Sequence, residues 1–175
     1  TTFTDCLFDN NSATGSGGGI HLVNSNPIMV SNCTISNNSA TEYGGGIQLV
    51  NSNPMVSNCT ISNNITTGTA GINNGGGISC ESSNPTLSDF DISDNFSYFG
   101  GGIWSWESNP VLFNTTVCAN QAGQILGNWK DGGSNTIADV CPSGCSDINN
   151  DEIVDVSDLL ILIAYWGSND SPADL

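Results

Sequence analysis

Residues 44–64, GGGIQLVNSNPMVSNCTISNN, form one complete copy of a unit that recurs along the chain. The same glycine triplet and isoleucine stand at 17–20, 75–78 and 100–103, and successive copies are 27, 31 and 25 residues apart. A Ser-Asn-Pro turn follows each triplet, and residues 57–64 repeat residues 31–38. Short β-prone pieces separated by glycine, asparagine and proline turns, at a period near 26 residues, favour a parallel β-helix with one coil per copy.

In a parallel β-helix, equivalent residues of successive coils stack about 4.8 Å apart, so each column should be chemically uniform. The apolar columns are Ile20, Ile47, Ile78 and Ile103; Val30, Val56, Leu87 and Leu112; and Phe8, Ile35, Ile61, Ile92 and Val117. A polar column contains only asparagine, namely Asn11, Asn38, Asn64, Asn95 and Asn120. It predicts an internal amide ladder, and the columns together predict an all-β parallel β-helix of about five coils over residues 1–135.

The glycine box alternates with a second motif, Phe8-Asp9-Asn10-Asn11, and with copies of it led by isoleucine or valine. Over residues 1–120 this alternation resembles the repeats of polymorphic outer-membrane proteins and related right-handed β-helix proteins, although most copies lack the usual phenylalanine. The resemblance implies a right-handed β-helix, secreted or displayed at the cell surface, with an adhesive or structural role.

The charge of the chain excludes several classes of partner. Seventeen acidic residues face a single basic one, Lys130, and the formal net charge is -16. Phosphate backbones and anionic lipids are recognised by clustered lysine and arginine, so neither nucleic acid nor a membrane surface is an expected partner. The longest apolar run, Leu159 to Trp166, has about half of the roughly 20 residues that a membrane span requires, so no membrane insertion is expected.

The cysteines fall into two groups. Cys6, Cys33 and Cys59 share one repeat position, which predicts buried packing, and Cys80 is expected to be buried in the same way. The other three are Cys118, Cys141 and Cys145. The disulfide candidate is Cys118–Cys141, although Cys145 is an alternative partner. The only histidine, His21, aligns with Gln48, Ser79 and Trp104 in an outward column, which predicts a solvated surface residue.

The acidic tail contains a loop with calcium-ligand spacing. Residues 136–145 are expected to link it to the β-helix, and residues 146–175 form a separate segment. Oxygen ligands stand at positions 1, 3, 5, 7, 9 and 12 of a twelve-residue loop: Asp147, Asn149, Asp151, the backbone carbonyl of Ile153, Asp155 and Asp158. This spacing predicts a Ca²⁺ site, and an acidic solvated turn without metal is the alternative.

Residues 146–167 resemble a dockerin repeat, because the loop ends in aspartate and the following segment reads Asp-Leu-Leu-x5-Trp-Gly. Glu152 departs from the usual glycine, and residues 171–175 resemble the approach to a second loop, so the chain could be truncated at this end. The segment predicts a short helix that is apolar on every face and must be buried. The residues expected to contact a partner are Leu159, Leu160, Ile163 and Trp166. Capping of the β-helix is the equal alternative.

Three functions compete. We favour a non-catalytic, secreted or surface-exposed structural or adhesive protein that self-associates, even into a fibre, through the β-helix ends and the calcium-loaded tail. The first alternative is carbohydrate binding, since Trp104 and Trp106 share a strand face with Tyr98 and Phe99 close by. A polysaccharide-degrading enzyme is less expected, because one lysine and a single acidic cluster around Asp91 offer few catalytic groups.

Eight Asn-x-Ser/Thr sequons are present in this asparagine-rich chain. Asn64 and Asn95 belong to the proposed internal ladder, where a glycan could not fit. The outward Asn37 and Asn114 are the better candidates for glycan attachment.

Overall fold

Equivalent residues of successive repeats pair side by side in parallel strands. In the computed structural model, which describes residues 1–26, 28–69 and 73–142, every strand pairing is parallel and in register with the repeat. One continuous row of paired residues is Ile20, Ile47, Ile78, Ile103 and Ile125. The described chain is therefore an all-β parallel β-helix, as the columns predicted.

The described residues form eighteen strands. Their bounds are β1 Thr2–Thr4, β2 Leu7–Asp9, β3 Ser12–Ala13, β4 Ile20–Val23, β5 Met29–Ser31, β6 Thr34–Ser36, β7 Ser39–Ala40, β8 Ile47–Val50, β9 Met55–Ser62, β10 Ile65–Thr66, β11 Ile78–Glu81, β12 Thr86–Ser93, β13 Ile103–Trp106, β14 Val111–Phe113, β15 Thr116–Cys118, β16 Ile125–Leu126, β17 Lys130–Asp131 and β18 Thr136–Ala138.

The strands form three sheets. The ten-stranded sheet runs β1-β5-β9-β12-β14-β17; β6 also pairs with β9 and β2 pairs with β6, while β15 also pairs with β12 and β18 pairs with β15. A five-stranded sheet has the order β16-β13-β11-β8-β4, and a three-stranded sheet has the order β10-β7-β3. Strands β9 and β12 have eight residues each, and each covers repeat positions that form two shorter strands in the other coils.

The core lies inside the coils. Its columns are the predicted apolar ones, and Ile35, Ile61, Ile92 and Val117 have no exposed surface. Burial alternates over residues 58–61 of β9, which read exposed Asn58, buried Cys59, exposed Thr60 and buried Ile61. Within the described residues, no helix is long and apolar enough to cross a membrane.

The asparagine column forms the predicted amide ladder. Asn38 Nδ2 donates to Asn64 Oδ1 at 2.9 Å and to the Phe8 carbonyl at 2.8 Å, and the Asn38 amide N–H donates to the same Asn64 Oδ1 at 3.0 Å. The same three bonds recur from Asn64 to Asn95 and from Asn95 to Asn120. At the last rung, Gln124 Oε1 accepts both donors of Asn120, so a glutamine ends the ladder.

The thiols of the repeat lie inside, as predicted. Cys33 and Cys59 are buried, Cys6 is half-buried in the first coil, and Cys80 is completely buried in the five-stranded sheet. Burial raises the pKa of the Cys59 thiol to about 11 and that of the Cys80 thiol to about 12. The Cys59 and Cys80 thiols therefore stay protonated at neutral pH and act as small apolar side chains.

The ten-stranded sheet continues past residue 135. Strand β18, Thr136–Ala138, pairs with β15 in register, so the first residues of the proposed 136–145 linker extend the ten-stranded sheet. The compact unit that contains these strands runs from Thr1 to Cys141.

Replacing Asn64 by alanine should destabilise the fold strongly. The change removes the acceptor of the Asn38 amide N–H and of Asn38 Nδ2, and it removes the donor to the Ile35 carbonyl. Buried groups that lose their partners cost about 1–3 kcal/mol each, so we expect a loss of about 3 kcal/mol or more in urea unfolding. Asn109→Ala, at an exposed position, is the control and should cost about 0.5 kcal/mol or less. Equal costs for the two variants would contradict the ladder's role.

Stability should fall in alkaline solution. In the unfolded chain the Cys80 thiol ionises near its ordinary pKa of 9.0, whereas in the folded chain it ionises near 12. Above the lower value the unfolded state releases the proton first, so the free energy of unfolding declines from about pH 9 upwards. Denaturation at about pH 8 and about pH 10 measures this decline, which should be smaller in Cys80→Ala. An identical decline in both proteins would assign it to other groups.

Candidate functional site

Two tryptophans project from the outer face of the five-stranded sheet. Trp104 and Trp106 are two residues apart on β13, so both side chains leave the same side of the strand. Their ring centroids are 6.3 Å apart and their planes differ by 8°. Trp106 is 57% exposed and Trp104 is half-buried beside it. The predicted shared face is therefore present.

A tyrosine from a different coil extends this pair into a row. Tyr43 precedes β8, yet its ring centroid lies 5.7 Å from that of Trp104, with planes 25° apart. Strand β11 lies between β8 and β13, and it carries Ser79 at the position beside Trp104. Because serine is small, the two rings can approach each other across the coil that carries it. We call Tyr43, Trp104 and Trp106 the aromatic row.

Further aromatic side chains are exposed on the turn that leads into β13. Tyr98 and Phe99 are 56% and 44% exposed, and their ring centroids are 5.8 Å apart. Both stand immediately before the glycine triplet that begins at Gly100. Most exposed aromatic surface of the described residues thus belongs to this coil.

The outward column beneath the row differs from the prediction. His21 is exposed as expected, but Gln48 and Ser79, its register neighbours, are buried with 1% and 0% exposure. At the first glycine of each triplet, the backbone passes close to the side chains of this column. Gly75 has φ +68°, and a Cβ on it would lie 2.8 Å from Ser79 Cβ, which only glycine avoids.

Three buried oxygens of this region have no hydrogen-bond partner among the described residues: Gln48 Oε1, Asn74 Oδ1 and Ser79 Oγ. Gln48 and Ser79 are direct register partners, and Asn74 pairs with Tyr43 and Phe99 in the adjoining turns. Buried polar groups generally pair with protein, water or ligand. The column therefore holds hydrogen-bonding capacity that the described chain does not use.

The glutamates of the repeat region neighbour residues of the aromatic row in sequence or in strand register. The chain has four glutamates, and the three in the repeats are Glu42, Glu81 and Glu107. Glu42 precedes Tyr43, Glu107 follows Trp106, and Glu81 on β11 is the register partner of Trp106. The only basic side chain of the lysine and arginine type, Lys130, lies on β17 in the ten-stranded sheet. The row therefore has Glu81 as a lateral neighbour and no lysine or arginine in its own sheet.

The other predicted positions are distributed elsewhere. Cys118 and Cys141 form a disulfide that ties β15 to the segment after β18. Asn37 and Asn114 are exposed, and each side-chain amide donates to an aspartate of the preceding coil, Asp9 or Asp89, at 2.7 Å. Asp91 is exposed on the ten-stranded sheet, away from the aromatic row.

The tail predictions lie outside the described residues. This applies to the calcium ligands Asp147, Asn149, Asp151, Ile153, Asp155 and Asp158, to the partner-contacting Leu159, Leu160, Ile163 and Trp166, and to Cys145. In the described part of the chain, no group of three histidine, cysteine, aspartate or glutamate side chains could hold a metal ion.

Sequence reasoning missed Tyr43 and the glutamates. The available signal for Tyr43 was its repeat alignment with Asn74 and Phe99 in the turn before the triplet. The signal for the glutamates was their placement in the repeats. Glu42 precedes Tyr43, Glu107 follows Trp106, and Glu81 aligns with Trp106.

Comparison with known families gives one result. A family model described as a right-handed beta helix region matches residues 1–138. The search of curated proteins and the search of solved structures each gave no significant match.

Proposed function

The chain belongs to the right-handed β-helix family, and on this scaffold we propose a non-catalytic, secreted or surface-exposed adhesive protein that binds carbohydrate through the aromatic row. The observation that carries the proposal is the near-parallel arrangement of Tyr43, Trp104 and Trp106 with an exposed outermost ring.

An aromatic row suits a sugar better than most other ligands. The C–H face of a pyranose ring is apolar and stacks on the electron-rich face of an aromatic ring, while the sugar hydroxyls remain in water. The three rings stack on one another, so the exposed Trp106 at the end of the row offers the surface on which a sugar ring can stack. Nucleic-acid bases also stack on aromatic rings, but a chain of net charge -16 repels their phosphates.

The scaffold favours binding because it holds the row in place. Trp104 and Trp106 belong to a strand that is paired on both sides, with β11 and β16. The rings contact one another, which restricts their rotamers before a ligand arrives. A rigid site loses less conformational entropy on binding, so even a small aromatic surface can give measurable affinity.

Trp106→Ala should weaken glycan binding at least about tenfold, because it removes the most exposed ring of the row. The measurement is affinity electrophoresis of the full chain in gels containing neutral soluble polysaccharides. Phe113→Ala is the matched control, since Phe113 is a 40% exposed aromatic residue on the ten-stranded sheet. Unretarded migration of the unaltered protein in every gel, or equal retardation of both variants, would overturn the proposal.

The tail supports a second, independent role in assembly. Its sequence has calcium-ligand spacing from Asp147 to Asp158, followed by the apolar residues 159–166. We propose that calcium binding by these residues promotes self-association of the adhesive β-helix.

Calcium should increase the size of the particles measured by light scattering, and a chelator should reverse the increase. Asp158→Ala removes the ligand at position 12 and should abolish the response. Asp139→Ala removes one exposed charge from the β-helix and should preserve it. A monodisperse monomer with and without calcium would exclude this mode of assembly.

A further inference from the structure

We propose that the aromatic row selects glycans whose sugar units carry protonated amino groups. The inference rests on the proposed carbohydrate binding and specifies its ligand class. The juxtaposition that carries it is that of Glu81 with the exposed Trp106, its register partner at the end of the row.

The closest pairing of acid and ring is Glu81 with Trp106. The two residues are register partners on β11 and β13, so their Cα atoms lie side by side on strands about 4.8 Å apart. Both side chains leave the outer face of the sheet, since Ile78 and Ile103, three residues earlier on each strand, point into the core. A ligand on the Trp106 ring is therefore within reach of the Glu81 carboxylate.

The other two glutamates neighbour the row in sequence, since Glu42 precedes Tyr43 and Glu107 follows Trp106. Glu42 accepts a hydrogen bond from Ser16 Oγ at 3.3 Å, and Glu107 accepts one from Ser82 Oγ at 3.4 Å. An ionised carboxylate has about four acceptor sites, so one long hydrogen bond leaves most of its capacity free. No arginine exists in the chain, and Lys130 lies in another sheet, so neither residue type neutralises these carboxylates.

Two interactions stabilise a cation bound beside Trp106 and Glu81. It is attracted to the face of an indole or phenol ring, and the adjoining carboxylate pairs with it directly. The net charge of -16 also raises the local concentration of cations around the molecule. A neutral glycan gains neither contribution, and an acidic glycan is repelled.

An ammonium group has three donors and no acceptor, so it matches a surface carboxylate such as that of Glu81. An amino sugar combines this group with the apolar ring face that stacks on tryptophan.

The test compares three hexasaccharides that differ only at one substituent of each sugar: glucosamine, N-acetylglucosamine and glucose. Isothermal titration of the full chain is performed at low salt and at a mildly acidic pH that keeps the amines protonated. We expect the glucosamine hexasaccharide to bind about tenfold more tightly than the other two, and this preference should shrink as salt is added.

Two variants locate the preference. Glu81→Gln should lower the affinity for the glucosamine hexasaccharide about threefold or more and leave N-acetylglucosamine binding unchanged. Asp91→Asn removes the same charge from the ten-stranded sheet and should change neither affinity.

The outcomes separate the two proposals. Equal binding of all three hexasaccharides, unaffected by Glu81→Gln, overturns the amino-sugar preference and leaves carbohydrate binding intact. Binding of none, together with unretarded migration in the polysaccharide gels, overturns both. Tighter binding of a lysine hexapeptide than of the glucosamine hexasaccharide, lost in Glu81→Gln, overturns the sugar assignment in favour of a basic polypeptide.

Discussion

The asparagine ladder is the constraint on which the rest of the molecule depends. Each internal amide donates to the carbonyl of one neighbouring coil and to the amide oxygen of the other, so an asparagine must return at one fixed place in every coil. Coils can then change length only where the ladder and the strands are not disturbed. The longest interval, 31 residues from Asn64 to Asn95, has its extra residues between β10 and β11, and the register of β9 with β12 is unaffected.

The same strand register brings the residues of the aromatic row together. Because every coil is aligned with the next, a residue's lateral neighbours are its repeat equivalents. Trp106 therefore lies beside Glu81, although the two residues are distant in sequence. The small Ser79 between the coils of Tyr43 and Trp104 leaves the space in which two distant aromatic rings meet. The aromatic row therefore depends on the register that the ladder fixes and on a few residues that differ from their repeat equivalents in other coils.

Most of the fold could be predicted from the sequence, because the spacing of residues in the repeat determines which of them share a column. The apolar columns, the amide ladder and the buried Cys33 and Cys59 all follow from the repeat alone. The burial of Gln48 and Ser79 does not, since it depends on the path by which the glycine triplet crosses the outer face. The Tyr43–Trp104 pair was also unpredictable, because Tyr43 stands in a turn whose length varies between coils and its ring direction is set by a neighbour two coils away.

Aspartates and glutamates of the repeats both tie neighbouring coils together, which leaves one glutamate to explain. Asp9 accepts hydrogen bonds from Asn37 and Ser36, which lower the pKa of its carboxyl, and Asp89 has φ +58° and accepts from Asn114. Glu42 and Glu107 make the same kind of contact, since they accept hydrogen bonds from Ser16 Oγ and Ser82 Oγ, and Glu107 has φ +50°. These contacts account structurally for all four charges. Glu81 lies instead beside its register partner, the exposed Trp106, where the proposed cationic ligand would pair with its carboxylate.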